Sequence, residues 1–296
     1  MKIVLLGATG QVGHELMRVL PTLGEVVACD RTTADLERPA EVVALLDREQ
    51  PAVIVNAAAY TAVDRAESEP DRAELVNATA VAAIAAEAAR RSALLVHYST
   101  DYVFDGTAPG CRSETDEPRP LSVYGATKLA GERAIAAAGC RHWIFRTSWV
   151  YASHGTNFVR TILRLAGERD ELAVVADQTG APTAAGLVAR VTGQFLDRLA
   201  TAPPASGLYH LAPRGATTWH GFARLILATA HAQGLPLRVS PDAVRPLTTA
   251  EYPTAARRPA NSLLCTAKLE TALAESLANW QDDVASTVAA IAAALR

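Results

Sequence analysis

The sequence predicts an α/β fold built on a doubly wound parallel sheet, followed by a smaller and more irregular lobe. Short β-branched apolar runs alternate with longer segments rich in Ala, Leu and Glu, and after about residue 150 this alternation weakens as Pro and Gly become frequent. Continuous apolar strands separated by helices are typical of a parallel sheet covered on both faces. We therefore assign residues 1–150 to the sheet domain and 151–296 mainly to the second lobe, with some helices returning to the first domain.

The predicted elements follow this alternation in order along the chain. Five apolar runs are predicted as buried strands, over residues 2–6, 25–29, 52–58, 94–100 and 142–151. Helices are predicted over residues 12–20, 39–49, 72–91, 123–138, 184–200, 219–233 and 284–295.

The composition bounds the class of protein and excludes several partners. Half of the 296 residues are hydrophobic and 20% are charged, which is typical of a globular protein with a sizeable core. The net charge of -3 gives no basic surface of the kind that nucleic-acid binding needs. The N-terminal "MKIVLLGATG" has no signal-peptide pattern, and the longest apolar stretches are too short to span a bilayer. The prediction is a soluble, cytoplasmic protein that binds no membrane.

Cysteine and histidine positions give no sign of a metal or redox motif. Cys29, Cys111, Cys140 and Cys265 lie far apart, so we expect each to be a small buried hydrophobe or a free thiol. The histidines, among them His97, His142 and His210, are isolated in the sequence and are expected to be packed or exposed and not ligands. His220 is expected near the start of a helix.

A glycine pattern after the first strand indicates a dinucleotide site. In "LLGATGQVGHEL", Gly7, Gly10 and Gly13 follow the strand and open a helix, with the spacing G-x-x-G-x-x-G. Such glycines permit a tight turn, close approach of a pyrophosphate and close helix–strand packing. The N–H groups at the helix N-terminus, with Gln11 and Val12, then bind the phosphates.

Residues after the second strand bear on the choice of cofactor. Asp30 lies where a carboxylate accepts the adenosine ribose hydroxyls of NADH and repels a 2′-phosphate. The adjacent Arg31 could instead receive the phosphate of NADPH, so both cofactors stay open. Asp35 and Leu36, in "ADL" after a possible third strand, are expected near adenine.

The end of the strand over 52–58 is the second predicted cofactor contact. Small residues at a strand end let a dinucleotide lie against the backbone, although they are equally compatible with simple packing. The residues assigned to this contact are Ala57, Ala58, Ala59 and Tyr60.

Three residues form the predicted chemical centre. Thr100 ends a strand, at the sheet edge where ligands of open α/β sheets gather. Tyr124 and Lys128 begin a helix and share one face of it, since residues four apart are helical neighbours. A nearby ammonium would lower the pKa of the tyrosine toward neutrality. Tyr124 would then exchange a proton with a carbonyl while a nicotinamide exchanges a hydride, and both residues would also contact the cofactor.

These motifs resemble the extended short-chain dehydrogenases/reductases, and within them the dTDP-4-dehydrorhamnose reductase family. The matching pieces run from residue 7 to 262: "GATGQVG", "VIVNAAAYTAVDRAESEP", "HYSTDYVFDG", "YGATKLAGE", "FRTSWVY", "DQTGAPT", "GLYHL" and "RRPANS". The resemblance implies a Rossmann-type sheet and NAD(P)H-dependent reduction of the C4 ketone of dTDP-4-dehydro-β-L-rhamnose, the last step of dTDP-L-rhamnose synthesis.

The resemblance also implies a role for each site residue. Tyr124 would donate the proton, Lys128 would hold the nicotinamide ribose, and Thr100 would orient the ketone. Trp149 would pack against the deoxysugar, and Asp101 would be a hydrogen-bonding scaffold. The nucleotide end would be lined by Asn157, Phe158, Gln178, Pro182, Thr183, Arg258 and Asn261, with Arg258 the best candidate for the diphosphate.

Several rival interpretations remain. Related 4,6-dehydratases use an Asp-Glu pair after the threonine, whereas Tyr102 stands at the glutamate position here, which disfavours dehydration. Reduction of another nucleotide-linked keto sugar stays open, as does the role of a regulatory subunit of methionine adenosyltransferase. Some family members form metal-bridged dimers through glutamates such as Glu15, but "AAGLVAR" lacks the second glutamate. We therefore assign no metal, and expect a monomer or a homodimer.

Overall fold

The computed structural model describes residues 1–294, whose centre is a parallel sheet of six strands in the order β10-β5-β4-β3-β1-β2. The strands are β1 Lys2–Leu6, β2 Glu25–Cys29, β3 Val53–Asn56, β4 Leu94–Thr100, β5 His142–Thr147, β6 Val150–Tyr151, β7 Leu172–Val175, β8 Thr179–Gly180, β9 Thr183–Ala184, β10 Gly207–His210, β11 Thr217–Thr218 and β12 Val244–Leu247. The helices are α1 Gln11–Val19, α2 Pro39–Glu49, α3 Val63–Ala66, α4 Pro70–Glu74, α5 Ala80–Arg91, α6 Val123–Ala138, α7 Phe158–Glu168, α8 Ala185–Asp197, α9 Trp219–Ala232, α10 Ala267–Leu273 and α11 Asp282–Ala294.

The sheet confirms the predicted doubly wound α/β class. Strand β1 lies between β2 and β3, so the chain changes direction across the sheet at the β1–β3 pair. In such sheets ligands bind in the crevice at the carboxyl ends of the strands, at this switch point. One apolar cluster includes Leu16 of α1 and Phe195 of α8, and a second includes Leu46 of α2 and Ile84 of α5. Helices therefore cover the sheet on both faces.

The predicted strands and helices are confirmed in most places, with corrections at the fifth strand and after the second. The run over 142–151 divides at Trp149, whose φ of 49° breaks the extended backbone, and β6 leaves the main sheet to pair with β9. No third strand precedes Asp35, because residues 30–38 form turns that lead directly into α2.

The helix predicted over 72–91 is interrupted. Helix α4 ends at Glu74, residues 75–79 form a π-helical turn, and α5 begins at Ala80. This turn places the buried Asn77 against helix α6, where its Nδ2 donates to Thr127 Oγ1 at 3.2 Å. Short π-helical segments recur at functional sites.

Two elements from the second half of the chain pack with the sheet that the first half forms. Helix α8, predicted over 184–200, packs on α1 so closely that a Cβ on Gly193 would lie 2.4 Å from Val19 Cγ1. Strand β10, which comes from the "GLYHL" segment, pairs in parallel with β5 as the sixth strand. The C-terminal helix α11 occupies most of the predicted 284–295, and residue 295 lies outside the described residues.

The expectation that all four cysteines are unpaired was wrong. Cys111 and Cys265 form a disulfide with a Cα–Cα distance of 5.1 Å, whereas Cys29 and Cys140 are free and buried. The two half-cystines are 154 residues apart and meet only because their segments run side by side, with Arg112 N–H donating to the Leu263 carbonyl at 2.8 Å. No helix within residues 1–294 is long and apolar enough to cross a membrane.

Candidate active site

The glycine turn after β1 has the shape that a dinucleotide phosphate site needs. Gly7 has a φ of +80°, and a Cβ there would lie 2.7 Å from the backbone N of Ala58. A Cβ on Gly13 would lie 2.0 Å from the Gly7 carbonyl oxygen, so α1 can approach the turn only with glycine at that position. No side chain of the described residues caps α1 at Gly10, which leaves N–H groups of its first turn, including those of Gln11 and Val12, available to an anion.

Two charged residues, Asp30 and Arg31, lie where the sequence predicted the adenosine end of a dinucleotide. Asp30 Oδ1 accepts from the hydroxyls and backbone N–H groups of Thr32 and Thr33, and the Thr32 hydroxyl contributes most to lowering the pKa of Asp30. Arg31 is largely exposed and pairs with Glu37 and with Asp35, whose oxygen lies 3.6 Å from Nε. Exposed pairs of this kind are weak and can exchange partners with a bound phosphate.

The remaining predicted cofactor residues differ in exposure. Ala57, Ala58 and Ala59 are half-buried at the end of β3, next to the glycine turn, as a dinucleotide contact requires. The side chain of Leu36 lies in the core, and the Tyr60 hydroxyl already donates to Glu69 at 2.8 Å.

Tyr124 lies in the first turn of α6, beside the carboxyl end of β4. Ser122 Oγ caps this helix by accepting from the Gly125 N–H at 3.2 Å. The helix start lies tightly against the turn after β4, because a Cβ on Gly125 would lie 2.2 Å from the Tyr102 carbonyl oxygen. The ring of Tyr124 packs edge-on against that of Tyr102, with centroids 5.5 Å apart.

The expectation that the pKa of Tyr124 is lowered toward neutrality was wrong for the cofactor-free protein. Burial raises its pKa to about 12, with the Thr100 hydroxyl lowering it and Asp101 raising it further. Tyr124 is therefore protonated at neutral pH, which is the state that a proton donor needs.

Lys128 is 2% exposed and faces strand β4. Its Nζ lies 2.7 Å from the Tyr98 carbonyl oxygen and 3.1 Å from His97 Nε2. Burial lowers the pKa of Lys128 to about 8, while Glu132 acts in the opposite direction.

Thr100 and Asp101 form a buried pair at the end of β4. The Thr100 hydroxyl donates to Asp101 Oδ1 at 3.0 Å and accepts from the Tyr102 N–H at 3.1 Å. Burial raises the pKa of Asp101 to about 6, and the hydroxyls of Ser262 and Thr100 lower it in part. Asp101 Oδ2 has no hydrogen-bond partner in the described structure. This pair places a hydroxyl and a carboxyl next to the Tyr124 phenol.

Trp149, which was predicted to contact a deoxysugar, belongs to an aromatic wall with Trp219 and Phe158. Trp149 stacks on Trp219 with ring centroids 3.6 Å apart and an interplanar angle of 12°, and Trp219 also meets Phe158 at 4.7 Å. A Cβ on Gly180 would lie 2.5 Å from the Trp149 ring, so glycine is needed behind the indole. The sequence analysis identified Trp149 and Phe158 but missed Trp219, which begins α9.

Several residues predicted at the nucleotide end have polar groups that form hydrogen bonds within the chain. Asn157 caps α7 by accepting from the Arg160 N–H, and its Nδ2 donates to Gln11 Oε1 at 2.9 Å, next to the glycine turn. Gln178 is buried and donates to Thr249 Oγ1 at 3.1 Å. Pro182 and Thr183 are buried beside β6, with the Thr183 N–H donating to the Trp149 carbonyl at 3.3 Å.

Arg258 and Asn261 lie on the segment that the disulfide holds near β4. Arg258 Nη2 donates to Asp64 Oδ2 at 2.8 Å, so the expected diphosphate ligand is paired within the chain. Asn261 Nδ2 donates to the carbonyl oxygens of Ala108 and Gly110, at 2.9 and 2.6 Å. Arg258 and Asn261 therefore anchor the segment that places Ser262 next to Asp101.

The fold brings together one pair of histidines that are far apart in the sequence. His14 and His154 have ring centroids 4.0 Å apart, and with Glu15 they offer three ligand atoms within 4.8 Å of one another. Residues 140 positions apart in sequence give no local spacing, so a sequence pattern could not reveal this group.

Two further site residues were missed by sequence reasoning. Asn56 ends β3 and His97 lies within β4, where both read as ordinary members of buried strands. Their side chains meet across the sheet, with Asn56 Nδ2 3.2 Å from His97 Nδ1. The available signal was the presence of two polar residues in strands that are otherwise buried and apolar.

The sheet, the glycine turn and the Thr100–Tyr124–Lys128 centre define a nicotinamide-dependent oxidoreductase of the short-chain type. The chain belongs to the family described as the RmlD substrate binding domain, whose model matches residues 1–293. It is 49% identical over 285 residues to dTDP-4-dehydrorhamnose reductase of Shigella flexneri, and 48% identical over 285 residues to that of Escherichia coli K12, with 95% of each chain covered in both cases. The crystal structure of dTDP-4-dehydrorhamnose reductase from Bacillus anthracis in complex with NADP is similar, with a TM-score of 0.89 and 33% identity over 97% of this chain and 98% of that one.

Proposed function

We propose that the protein uses NAD(P)H to reduce the C4 ketone of dTDP-4-dehydro-β-L-rhamnose, giving dTDP-L-rhamnose, the last step of dTDP-rhamnose synthesis. The observation that carries the proposal is the Tyr124 phenol beside the Thr100 hydroxyl, at the sheet edge next to the glycine turn. The substrate class follows from the curated relatives, which at 48–49% identity are named dTDP-4-dehydrorhamnose reductase.

The residues around the glycine turn fit a dinucleotide. The uncapped start of α1 and the glycine positions that have no room for a Cβ leave space and N–H donors for a pyrophosphate. When bound, the nicotinamide supplies the hydride that is added to the ketone carbon.

Tyr124 supplies the proton in this account. As the carbon accepts a hydride, the ketone oxygen takes the Oη proton of Tyr124, so the ketone becomes a secondary alcohol and the tyrosine a phenolate. The Thr100 hydroxyl orients the ketone oxygen, for which it turns its proton from Asp101 toward the substrate. Asp101, with a pKa raised to about 6, can take up a proton and donate a hydrogen bond to the Thr100 oxygen in return.

The wall of Trp149, Trp219 and Phe158 suits the apolar face and methyl group of a deoxysugar. Arg258 would reach a diphosphate by exchanging Asp64 for the ligand. This exchange keeps Arg258 in a charge-assisted hydrogen bond.

A test that follows the atom transferred distinguishes this proposal from its rivals. The protein is incubated with enzymatically prepared dTDP-4-dehydro-β-L-rhamnose and NADPH deuterated at C4 of the nicotinamide, and the sugar is analysed by NMR. Deuterium at C4 of dTDP-L-rhamnose is the expected result. If only another nucleotide-linked keto sugar is turned over, that sugar is the substrate and the rhamnose assignment is wrong. Failure with every keto sugar, together with co-purification of a methionine adenosyltransferase, would favour a regulatory role.

We propose the cytoplasm as the site of this reaction. Disulfides are uncommon there, so the redox state of Cys111 and Cys265 in protein taken from cells bears directly on this location.

A further inference from the structure

Asn56, His97 and Lys128 form one line of hydrogen bonds beneath the candidate site. They come from β3, β4 and α6, and are 1%, 0% and 2% exposed. Asn56 Nδ2 lies 3.2 Å from His97 Nδ1, and His97 Nε2 lies 3.1 Å from Lys128 Nζ. None of the three can exchange its partner for bulk water, so the donor and acceptor roles along the line must be consistent.

The direction of the line is fixed at its first member. The backbone N–H of Ala58 lies 3.2 Å from Asn56 Oδ1, and a backbone N–H can only donate. This contact orients the amide of Asn56, whose Nδ2 therefore faces His97. Because an amide NH₂ also only donates, His97 Nδ1 must be an acceptor that carries no proton.

The tautomer of His97 follows from this orientation. Burial, and then the nearby Lys128, lower the pKa of His97 well below its ordinary value, so the ring is neutral and carries one proton. With Nδ1 bare, that proton is on Nε2, the atom that faces Lys128 Nζ. An Nε2–H needs a lone pair opposite it, which a neutral amine has and an ammonium lacks.

We propose that the line running from the Ala58 N–H through Asn56 and His97 holds Lys128 as an acceptor amine in the cofactor-free protein at alkaline pH. Lys128 then accepts from His97 Nε2–H and donates one of its own N–H groups to the Tyr98 carbonyl at 2.7 Å. His97 is thus a positioning residue that acts through Lys128. The importance of this role for catalysis rests on the proposed function, in which Lys128 holds the nicotinamide ribose.

The charged groups around α6 do not oppose this state strongly. Glu132, on the same helix, favours the ammonium, but Arg146 of β5 holds both of its carboxylate oxygens at 2.8 and 2.6 Å. Asp101, in the turn after β4, acts on Tyr124. Burial lowers the pKa of Lys128 to about 8, so the amine is the major form above that pH.

The other elements packed on α6 bring uncharged or paired groups. The π-helical turn presents Asn77, which is uncharged, to Thr127. The paired or helix-capping charges of the neighbouring helices are Glu67 with the Val123 N–H, Asp64 with Arg258, Arg72 with Glu37 and Glu69, and Arg90 and Arg91 with Glu87 and Asp47.

The tautomer of His97 is measured directly by nitrogen-15 NMR of cofactor-free protein labelled at histidine. The His97 signals are assigned by their loss in His97→Gln. A proton on Nε2 and a bare Nδ1 are expected at about pH 9, where Lys128 is mainly an amine. A proton on Nδ1, or on both nitrogens, would overturn the proposal whether or not the protein reduces any sugar. The expected tautomer in a protein that reduces no ketone would refute the proposed function alone.

Asn56→Asp tests whether the line sets the state of Lys128. A carboxylate accepts from both the Ala58 N–H and His97, so the ring should move its proton to Nδ1 and Lys128 should become an ammonium. NADPH is an anion, so its affinity is expected to fall with rising pH as Lys128 loses its proton. The midpoint of that fall should move up by about 1–3 pH units in Asn56→Asp.

Asn77→Asp is the matched control for the added charge. Asn77 is a buried asparagine beside α6 that also accepts from a backbone N–H, that of Tyr60 at 2.9 Å, but it does not contact His97. This variant should leave the tautomer and the midpoint close to those of the parent protein. An equal shift in both variants would overturn the line as the cause, and if either variant fails to fold, the spectrum of the unaltered protein decides.

Discussion

Glu132 and Arg146 form a buried bidentate ion pair, with Arg146 Nε and Nη2 donating to the two carboxylate oxygens at 2.8 and 2.6 Å. The pair joins α6, which carries Tyr124 and Lys128, to strand β5. Arg146 also lies over the Phe104 ring at 5.0 Å, so the ion pair links helix, strand and the loop after β4.

Breaking this pair should destabilise the fold. Glu132→Gln leaves an uncompensated guanidinium in the core, and we expect a loss of about 3–5 kcal/mol in the free energy of unfolding, measured by urea denaturation. Replacing both partners, as Glu132→Gln with Arg146→Met, should cost less than Glu132→Gln alone. A double variant as unstable as the sum of the two single variants would contradict this account.

Asp101 should make stability depend on pH in a predictable direction. Its pKa is raised from 3.8 to about 6 in the folded protein, so the folded state holds a proton that the unfolded state releases. Its contribution is fully present below about pH 4 and is lost as the pH rises through 6, which amounts to about 3 kcal/mol for a shift of this size.

Asp101→Asn isolates that contribution, because an amide does not titrate. The free energy of unfolding of the variant, minus that of the parent, should become more positive by up to about 3 kcal/mol between pH 4 and pH 8. Urea denaturation at the two pH values measures it. A difference that does not change with pH would show that Asp101 titrates normally.

Arg31 should distinguish the two cofactors. It is largely exposed and, among residues 1–294, its ion pairs are with Glu37 and Asp35, so it can turn to the 2′-phosphate of NADPH. Arg31→Ala should weaken NADPH binding by about 10-fold or more, the value of a charge-assisted hydrogen bond, and leave NADH binding nearly unchanged. Cofactor fluorescence titration tests this. Equal losses for both cofactors would exclude a contact with the 2′-phosphate.

The disulfide between Cys111 and Cys265 should be a measurable part of the stability. It closes a long loop, for which a stabilisation of about 2–4 kcal/mol is typical. Dithiothreitol should lower the melting temperature of the parent protein and leave that of Cys111→Ser unchanged. Equal sensitivity of both proteins to the reductant would show that the bond does not contribute. Mass spectrometry of alkylated protein establishes whether the bond forms.

Features encoded by neighbouring residues could be predicted from the sequence. The glycine turn and the helix that carries Tyr124 and Lys128 are local patterns, and the structure places them as their spacing indicates. The break at Trp149 could not be predicted, because an apolar run gives no warning of a positive φ at a tryptophan.

Features that depend on distant contacts needed the structure. The pairing of Cys111 with Cys265 and the stacking of Trp149 on Trp219 join segments far apart in the chain. The raised pKa of Tyr124 is set mainly by burial, which a spacing of four residues does not report. For the same reason the sequence predicted the opposite direction for this pKa.

The central claim is that Tyr124 donates the proton in ketone reduction, and Tyr124→Phe tests it most directly. NADPH oxidation is followed with dTDP-4-dehydro-β-L-rhamnose, using Tyr209→Phe as the control, since that hydroxyl donates to the Ala205 carbonyl and lies in the core. Tyr124→Phe should lower kcat by about 10²–10⁴ with nearly unchanged NADPH affinity, whereas Tyr209→Phe should retain turnover. Unaltered turnover by Tyr124→Phe would contradict the account.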